Sequence, residues 1–355
     1  MKTLIADSIA LLRRMVATPS PSFEEEAVCQ LIQEQLEAWG IACTRIGRNI
    51  VARNRHYDAA LPTLALDAHI DTVPPAESYT RDPYDPGDDP DIVYGLGSND
   101  DGGSVVAMIA AFRHFYAMHL PINLVLTLSC EEERSGPDGA AKLYGPDFDA
   151  EWVLVGEPTG MRAATSERGL LVIDAEAKGV SGHAARDEGV NALYIALEDI
   201  ARLRAYRFRK VSPVMGSVRL NVTQIAAGSA HNVIPDNCRF VIDVRPTEQY
   251  ANEEILEALQ AICTSRLHAR NLRNRSSATR PNSPLTVTLA KLGIPTFSSP
   301  TTSNWMRVGR DAIKMGPGDS ARSHRADEYI RCDEIAQGVR QYIEFIRTFY
   351  GNTLE

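Results

Sequence analysis

His69-Ile70-Asp71 puts an imidazole and a carboxylate two positions apart at the end of an apolar run, residues 63–68. In an extended chain such residues point to the same side, so both can address one point. One could bind a metal while the other orients it, because a metal-bound histidine needs a carboxylate or carbonyl on its second ring nitrogen. Taken alone, the pair is better accounted for as a capped strand end. Glu131-Glu132-Glu133 follows a second apolar run, residues 122–128, and precedes the turn Ser135-Gly136-Pro137. Adjacent carboxylates repel one another unless cations compensate them. On an exposed helix they would be ordinary solvated charge; behind a buried strand a bound cation is the better account. Gly95-Leu96-Gly97-Ser98-Asn99-Asp100-Asp101-Gly102-Gly103 is a glycine-rich loop entering an apolar helix over residues 104–118. It lacks the lysine of a phosphate-binding loop and carries two acids where an anion would sit, which argues against nucleotide binding. Acids there can also simply cap the helix. Gly156-Glu157-Pro158 and Gly318-Asp319-Ser320-Ala321-Arg322-Ser323-His324 add one more carboxylate and one more imidazole.

The elements that would position these groups repeat one arrangement. Runs of strand character at 63–68, 122–128, 152–155 and 312–315 lead respectively to His69 and Asp71, to Glu131-Glu132-Glu133, to Glu157, and through Gly316-Pro317-Gly318 towards His324. In open α/β sheets the ligand crevice lies outside the carboxyl ends of the strands. The pattern therefore predicts an α/β catalytic domain with a mostly parallel mixed sheet between helices, two of them near the N-terminus over residues 8–17 and 24–39. Between residues 167 and 280 the order changes to strand (170–177), helix (191–206), strand (217–225), strand (239–244), helix (252–265) and a polar stretch. That order predicts a ferredoxin-like α+β domain inserted between the third and fourth ligand-bearing strands. The expected organisation is a discontinuous metal-binding catalytic domain, 1–166 and 281–355, with a lid or dimerisation domain at 167–280. The strand at 170–177, the Gly179-Val180-Ser181-Gly182 turn and the helix after Asn191 suggest an edge suited to a second copy.

Composition narrows the classes. The chain has 355 residues, 44% hydrophobic and 23% charged, which fits a folded protein of two domains. A net charge of -9 gives no basic face for nucleic acid or an anionic membrane. No apolar run reaches the length of a membrane span and the N-terminus lacks a signal-peptide core, so the expected location is cytoplasmic. The six cysteines have no short paired spacing, which argues against a disulfide framework and a thiolate metal cage.

Taken in order, His-x-Asp, Gly-x-Gly-x-x-Asp, Glu-Glu, Gly-Glu-Pro-Thr and a late Gly-Pro-Gly followed by His resemble the acetylornithine deacetylase and succinyl-diaminopimelate desuccinylase family of dinuclear metallopeptidases. The likeness spans nearly the whole chain. It implies that His69 and Glu157 bind one metal, Glu133 and His324 the other, and that Asp100 bridges them. Asp71 would orient His69, and Glu132 would be the general base. This places Glu131 at the aspartate of the family's Asp-Glu-Glu; a one-residue slip would make the pair Glu131 and Glu132. Imidazole and carboxylate ligands without thiolate suit two zinc ions, with cobalt or manganese as substitutes. In Gly179-Val180-Ser181-Gly182-His183 the histidine matches one that dimeric relatives extend into the neighbouring subunit, which makes His183 an expected oxyanion donor. Asn232 and Arg245 match substrate-contacting positions, Arg245 as partner of a carboxylate.

Two departures stand out: Gly102 replaces a lysine common in relatives, and neutral Asn304 lies where many carry an acid. The segments after His183 and before His324 look most like the short acetylornithine or succinylornithine deacylase-like branch. The resemblance thus implies a homodimeric hydrolase removing an acetyl or succinyl group from a small N-acyl amino acid, N-acylornithine or N-acetylcitrulline in arginine biosynthesis. A dipeptidase, carboxypeptidase or succinyl-diaminopimelate desuccinylase would use the same scaffold. For a succinyl carboxylate the available cations are Arg168, Arg186 and Arg322. A non-catalytic metal- or amino-acid-binding protein is the alternative of another class.

Overall fold

The computed structural model describes residues 1–145, 148, 150–186 and 188–352. The four runs that precede the acids and imidazoles form the strands Thr63–His69, Asn123–Ser129, Trp152–Val155 and Asp311–Lys314. In space their order is Asn123–Ser129, Thr63–His69, Trp152–Val155, Asp311–Lys314, and every neighbouring pair is parallel. All four carboxyl ends therefore open on one edge of the sheet.

Burial along these strands is nearly continuous because both faces are covered, as parallel strands require. Leu64, Leu66, Leu124, Leu126, Leu154 and Ile313 face a large core completed by residues of the helices Lys2–Val16, Glu26–Ala38, Gly103–Phe115 and Cys332–Asn352. Ala65, Val125, Val153 and Ala312, one residue out of phase, face a smaller core with Leu143, Trp305 and Val308. The result is the three-layer α/β architecture expected from the sequence. The sheet is mixed: the hairpin Cys43–Ile46 and Asn49–Arg53 extends it antiparallel beside Asn123–Ser129, and Lys314 pairs antiparallel with Ala164 on the far side.

The chain divides into two compact units, Met1–Thr165 with Ala278–Phe297 and Ser303–Glu355, and Ser166–Ser277 with Ser298–Thr302. The second holds a four-stranded antiparallel sheet in the order Arg219–Ala227, Asn237–Arg245, Leu171–Lys178, Arg266–Ala269. Residues of the helices Ala192–Ala205 and Asn252–Gln260 join one face of it in a core around Ile173, Leu203, Phe240, Ile242 and Leu259. Its order of strand, helix, strand, strand, helix, strand is ferredoxin-like. The fourth strand, Arg266–Ala269, falls in the stretch read from sequence as polar. Only Leu267 of it is buried, while Arg266 and His268 are exposed, so its apolar signal is too short to register.

The first helix begins at Lys2, six residues earlier than its apolar pattern predicts, since nothing in the sequence breaks a helix there and Leu4 and Ile5 pack against the large core. All six cysteines are free thiols. Among the described residues no helix is long and apolar enough to cross a membrane.

Candidate metal centre

At the end of Thr63–His69 the His69 ring is 2% exposed and is held from both sides. Its Nδ1 lies 3.0 Å from the backbone oxygen of Asp71 and 3.5 Å from Asp71 Oδ1, while Nε2 faces Asp100 Oδ1 at 3.3 Å. Burial works against a charged ring here, but the Asp100 and Asp71 carboxylates outweigh it and hold His69 well above the ordinary histidine range. Asp71 does more than orient His69. Its carboxylate accepts hydrogen bonds from Ser22 Oγ at 2.7 Å and from the backbone N–H groups of Glu132 at 2.9 Å and Glu133 at 3.1 Å. One carboxylate thus ties the end of one strand to the acidic loop after its neighbour.

That loop sorts its three acids. Glu131, 2% exposed and at a positive φ of 60°, turns inward. Its carboxylate pairs with Arg48 and accepts the Asp138 N–H at 3.0 Å, and its own N–H donates to Glu25 Oε1 at 3.0 Å. With Glu131 committed to this network, Glu132 and Glu133 are the acids left for the edge of the sheet, both partly exposed. Glu133 meets His324 Nε2 at 2.9 Å.

Asp100 sits where two groups of potential ligands overlap. Oxygen and nitrogen atoms of His69, Asp100 and Glu157 all lie within 4.8 Å of one another, and so do those of Asp100, Glu133 and His324. Asp100 Oδ1 faces His69 and Oδ2 faces His324 Nε2 at 3.8 Å, so its two oxygens serve the two groups separately. The loop behind it is closed by Gly102 N–H to Gly97 O at 3.0 Å. A Cβ at Gly102 would stand 2.4 Å from Gly97 O and 2.6 Å from Leu12 Cδ1, so in this backbone the position takes glycine alone. The lysine expected at this position from the resemblance could not be placed without moving Gly97 or Leu12.

The electrostatics favour a cation. Burial pushes Glu132 well above the ordinary range against the pull of His69, and the Glu133, Asp71 and Asp100 charges push it further. Glu157 is raised by burial and by Asp100, and Glu133 by burial despite its bond to His324. Three carboxylates and two imidazoles, with no thiolate among the described residues of either group, form a donor set that hard or borderline divalent cations satisfy, and Glu132 adds a fourth negative charge beside it. His324, bonded to Glu133, is pushed up to about 9.

Sequence reasoning missed Glu328. This carboxylate is 2% exposed and accepts the N–H groups of Gly97 at 3.1 Å, Asn99 at 2.9 Å and Asp100 at 2.9 Å. Burial, reinforced by Asp100, pushes it up to about 8. Its only sequence signal was a place four residues after His324.

Other expected residues lie elsewhere. Asn304 is not a free pocket group: it is 4% exposed and donates to Asp67 Oδ2 at 2.9 Å and Ser129 Oγ at 2.7 Å. His183, Asn232 and Arg245 belong to the second unit. There His183 is exposed and its Nδ1 accepts the Ala185 N–H at 3.1 Å, and the backbone carbonyl of Asn232 accepts the Ala184 N–H at 3.0 Å. Arg245 grips Asp243 through Nε at 2.8 Å and Nη2 at 3.1 Å. Of the cations considered for a succinyl carboxylate, Arg168 is spent on the backbone oxygens of Met215, Ser217 and Arg245, and Arg322 on Glu334. Arg186 is exposed, and the adjacent Asp187 lies outside the described residues.

Residues 65–348 match the model of peptidase family M20/M25/M40. The chain is 32% identical over 266 residues to succinyl-diaminopimelate desuccinylase of Xanthomonas campestris pv. campestris (strain B100), covering 70% of this chain and 69% of that protein. Its fold is similar to that of a tripeptidase from Staphylococcus aureus, with a TM-score of 0.79 and 18% identity over 98% of each chain. It is also similar to a dinuclear metal binding peptidase of Bacillus subtilis, with a TM-score of 0.73 and 15% identity over 98% of each chain. A family match over most of the sequence, spanning every residue of the two ligand groups, means that this chain belongs to peptidase family M20/M25/M40, a family of hydrolases.

Proposed function

We propose that the protein hydrolyses the amide bond of an N-acyl amino acid at a centre of two divalent cations, most simply zinc. The observation that carries this reading is Asp100, whose two carboxylate oxygens face two separate ligand groups. His69 and Glu157 would hold one cation, Glu133 and His324 the other, and Asp100 both. The chemistry supplied at such a pair is polarisation of the acyl carbonyl and acidification of the attacking water. Glu132 is then the general base: its N–H is fixed on Asp71, its carboxylate belongs to neither ligand group, and its raised proton affinity suits a group that takes the water's proton and returns it to the leaving nitrogen. His183 is assigned as oxyanion donor and Asn232 and Arg245 as substrate-binding residues. For Arg245 this requires Asp243 to share or release the guanidinium.

For the acyl group, the desuccinylase named among the relatives favours succinyl, and nothing among those relatives supports the ornithine, citrulline or arginine-biosynthesis expectation. The second unit is proposed to act as lid and dimerisation domain. Among the described residues its edge strand Arg219–Ala227 pairs on one side only, and Ile225, Tyr194 and Leu197 are 48%, 64% and 48% exposed.

The test is hydrolysis of N-succinyl-diaminopimelate, N-succinyl- and N-acetylornithine, N-acetylcitrulline and a dipeptide panel by metal-loaded wild type and Glu132→Ala. Turnover of an N-acyl amino acid should fall by about 10²–10⁴-fold in the variant at unchanged metal content. A variant as active as wild type would remove Glu132 from the chemistry, and preference for dipeptides would replace the acyl reading.

A further inference from the structure

We propose that Glu328 is the positioning residue that sets Asp100 between the two cations, and through it couples the assembly of both metal subsites. The inference rests on the dinuclear reading above and extends it to a residue that belongs to neither ligand group and meets Asp100 only at its backbone N–H.

The geometry is specific. A buried carboxylate without a cationic partner would ordinarily be costly. Among the bonds described, Glu328 meets backbone N–H groups: Asn99 and Asp100 both donate to Oε1 at 2.9 Å, and Gly97 donates to Oε2 at 3.1 Å. Converging amides of this kind form a cradle for an anion, here filled from within the chain. Each bond fixes the backbone within four residues ending at Asp100, at a place where Asp100 has non-helical angles (φ −117°, ψ 98°) and Gly97 a positive φ of 75°.

Glu328 also reaches the loop through its main chain, since its carbonyl accepts the Gly95 N–H at 2.8 Å. Its neighbour Asp327 accepts the N–H of Thr80 at 2.9 Å, the hydroxyl of Thr80 at 2.7 Å and the N–H of Arg81 at 3.0 Å. The segment from His324 to Glu328 therefore brings a ligand of one group and the clamp on the shared carboxylate in a single short stretch. A displacement of either moves the other.

A glutamine at 328 keeps the shape, but its oxygen can accept on only one side: facing Asn99 and Asp100, it turns its NH₂ against the Gly97 N–H, so the cradle opens at Gly97 and the loop leading into Asp100 loses one of its holds. Because both groups use Asp100, both should weaken together. A change at Glu157, which belongs to one group only, should weaken one.

The experiment titrates cobalt(II) into metal-free, full-length wild type, Glu328→Gln, Glu328→Asp and Glu157→Gln, following the visible absorption of bound cobalt and the heat of binding, with near-ultraviolet circular dichroism as a check on folding. Wild type should take up two cobalt ions per chain. Glu157→Gln should lose affinity in one class of site. Glu328→Gln should lose about 10-fold or more in both classes, with an altered cobalt spectrum and a folded metal-free protein. Glu328→Asp, which keeps two carboxyl oxygens as acceptors but is shorter, should fall between, and it carries the test if the glutamine variant does not fold. Wild-type affinities and spectrum in both Glu328 variants, or loss confined to one site, would overturn the positioning role while leaving the dinuclear reading intact. Failure of wild type to bind cobalt would overturn both.

Discussion

Glu131, Glu132 and Glu133 are consecutive, yet one is turned into the protein and two are left at the sheet edge, and the difference is made by Arg48. Its guanidinium pairs with Glu131 and with Glu25 Oε2 at 2.6 Å, two carboxylates that are 2% and 0% exposed, while Arg48 itself remains 28% exposed. The acidic triplet was legible in the sequence, as were His69, Asp71, Asp100, Glu157 and His324, because each follows an apolar run or a glycine turn. The division of labour within the triplet was not, because it depends on a cation 83 residues away. Removing Arg48 leaves two buried carboxylates facing each other. Arg48→Met should therefore cost about 2–4 kcal/mol in urea unfolding and reduce metal content, with Arg48→Lys recovering part of the loss. A change below about 0.5 kcal/mol, the scale of an ordinary surface substitution, would show that the network is not what fixes the loop.

The strands were readable because burial on both faces writes them as unbroken apolar runs, and their parallel order follows from helices lying between them in sequence. The edge strands Cys43–Ile46 and Arg266–Ala269 were not read, since they alternate with charged residues over too few positions, and the interior strand Asn49–Arg53 was not read because its buried apolar run is only Ile50 to Ala52. Close approach at the strand ends is also hidden in sequence. A Cβ at Gly156 would stand 2.7 Å from Ser104 Cβ, 2.9 Å from Asp101 Oδ2 and 3.2 Å from Ala68 Cβ, so Trp152–Val155 can deliver Glu157 only past a bare backbone. Gly156→Ala should lower stability by about 1–3 kcal/mol and displace Glu157, read as a lower thermal midpoint together with loss of one metal per chain. A variant with the wild-type midpoint and metal content would mean that the neighbouring helix yields at no cost.

For the whole molecule, the ferredoxin-like order of the second unit was legible from its alternation of helix and strand periods, but the edge expected at 170–177 is not one: Leu171–Lys178 pairs on both sides, because the polar strand Arg266–Ala269 covers it, and Arg219–Ala227 ends the sheet instead. Ile225 lies opposite buried Phe240 and so belongs to the helix-covered side, the side that also carries the exposed Tyr194 and Leu197. If this edge joins two copies, Ile225→Lys combined with Leu197→Glu should give a monomer by light scattering while wild type is a dimer. Identical masses for the two would rule out this edge. The central claim concerns the other unit, where one carboxylate serves two cations, and anomalous diffraction from crystals grown with zinc tests it most directly. The account predicts two zinc peaks about 3.5–4 Å apart, one beside His69 and Glu157, the other beside Glu133 and His324, with Asp100 between them. A single peak, or peaks away from Asp100, would contradict it.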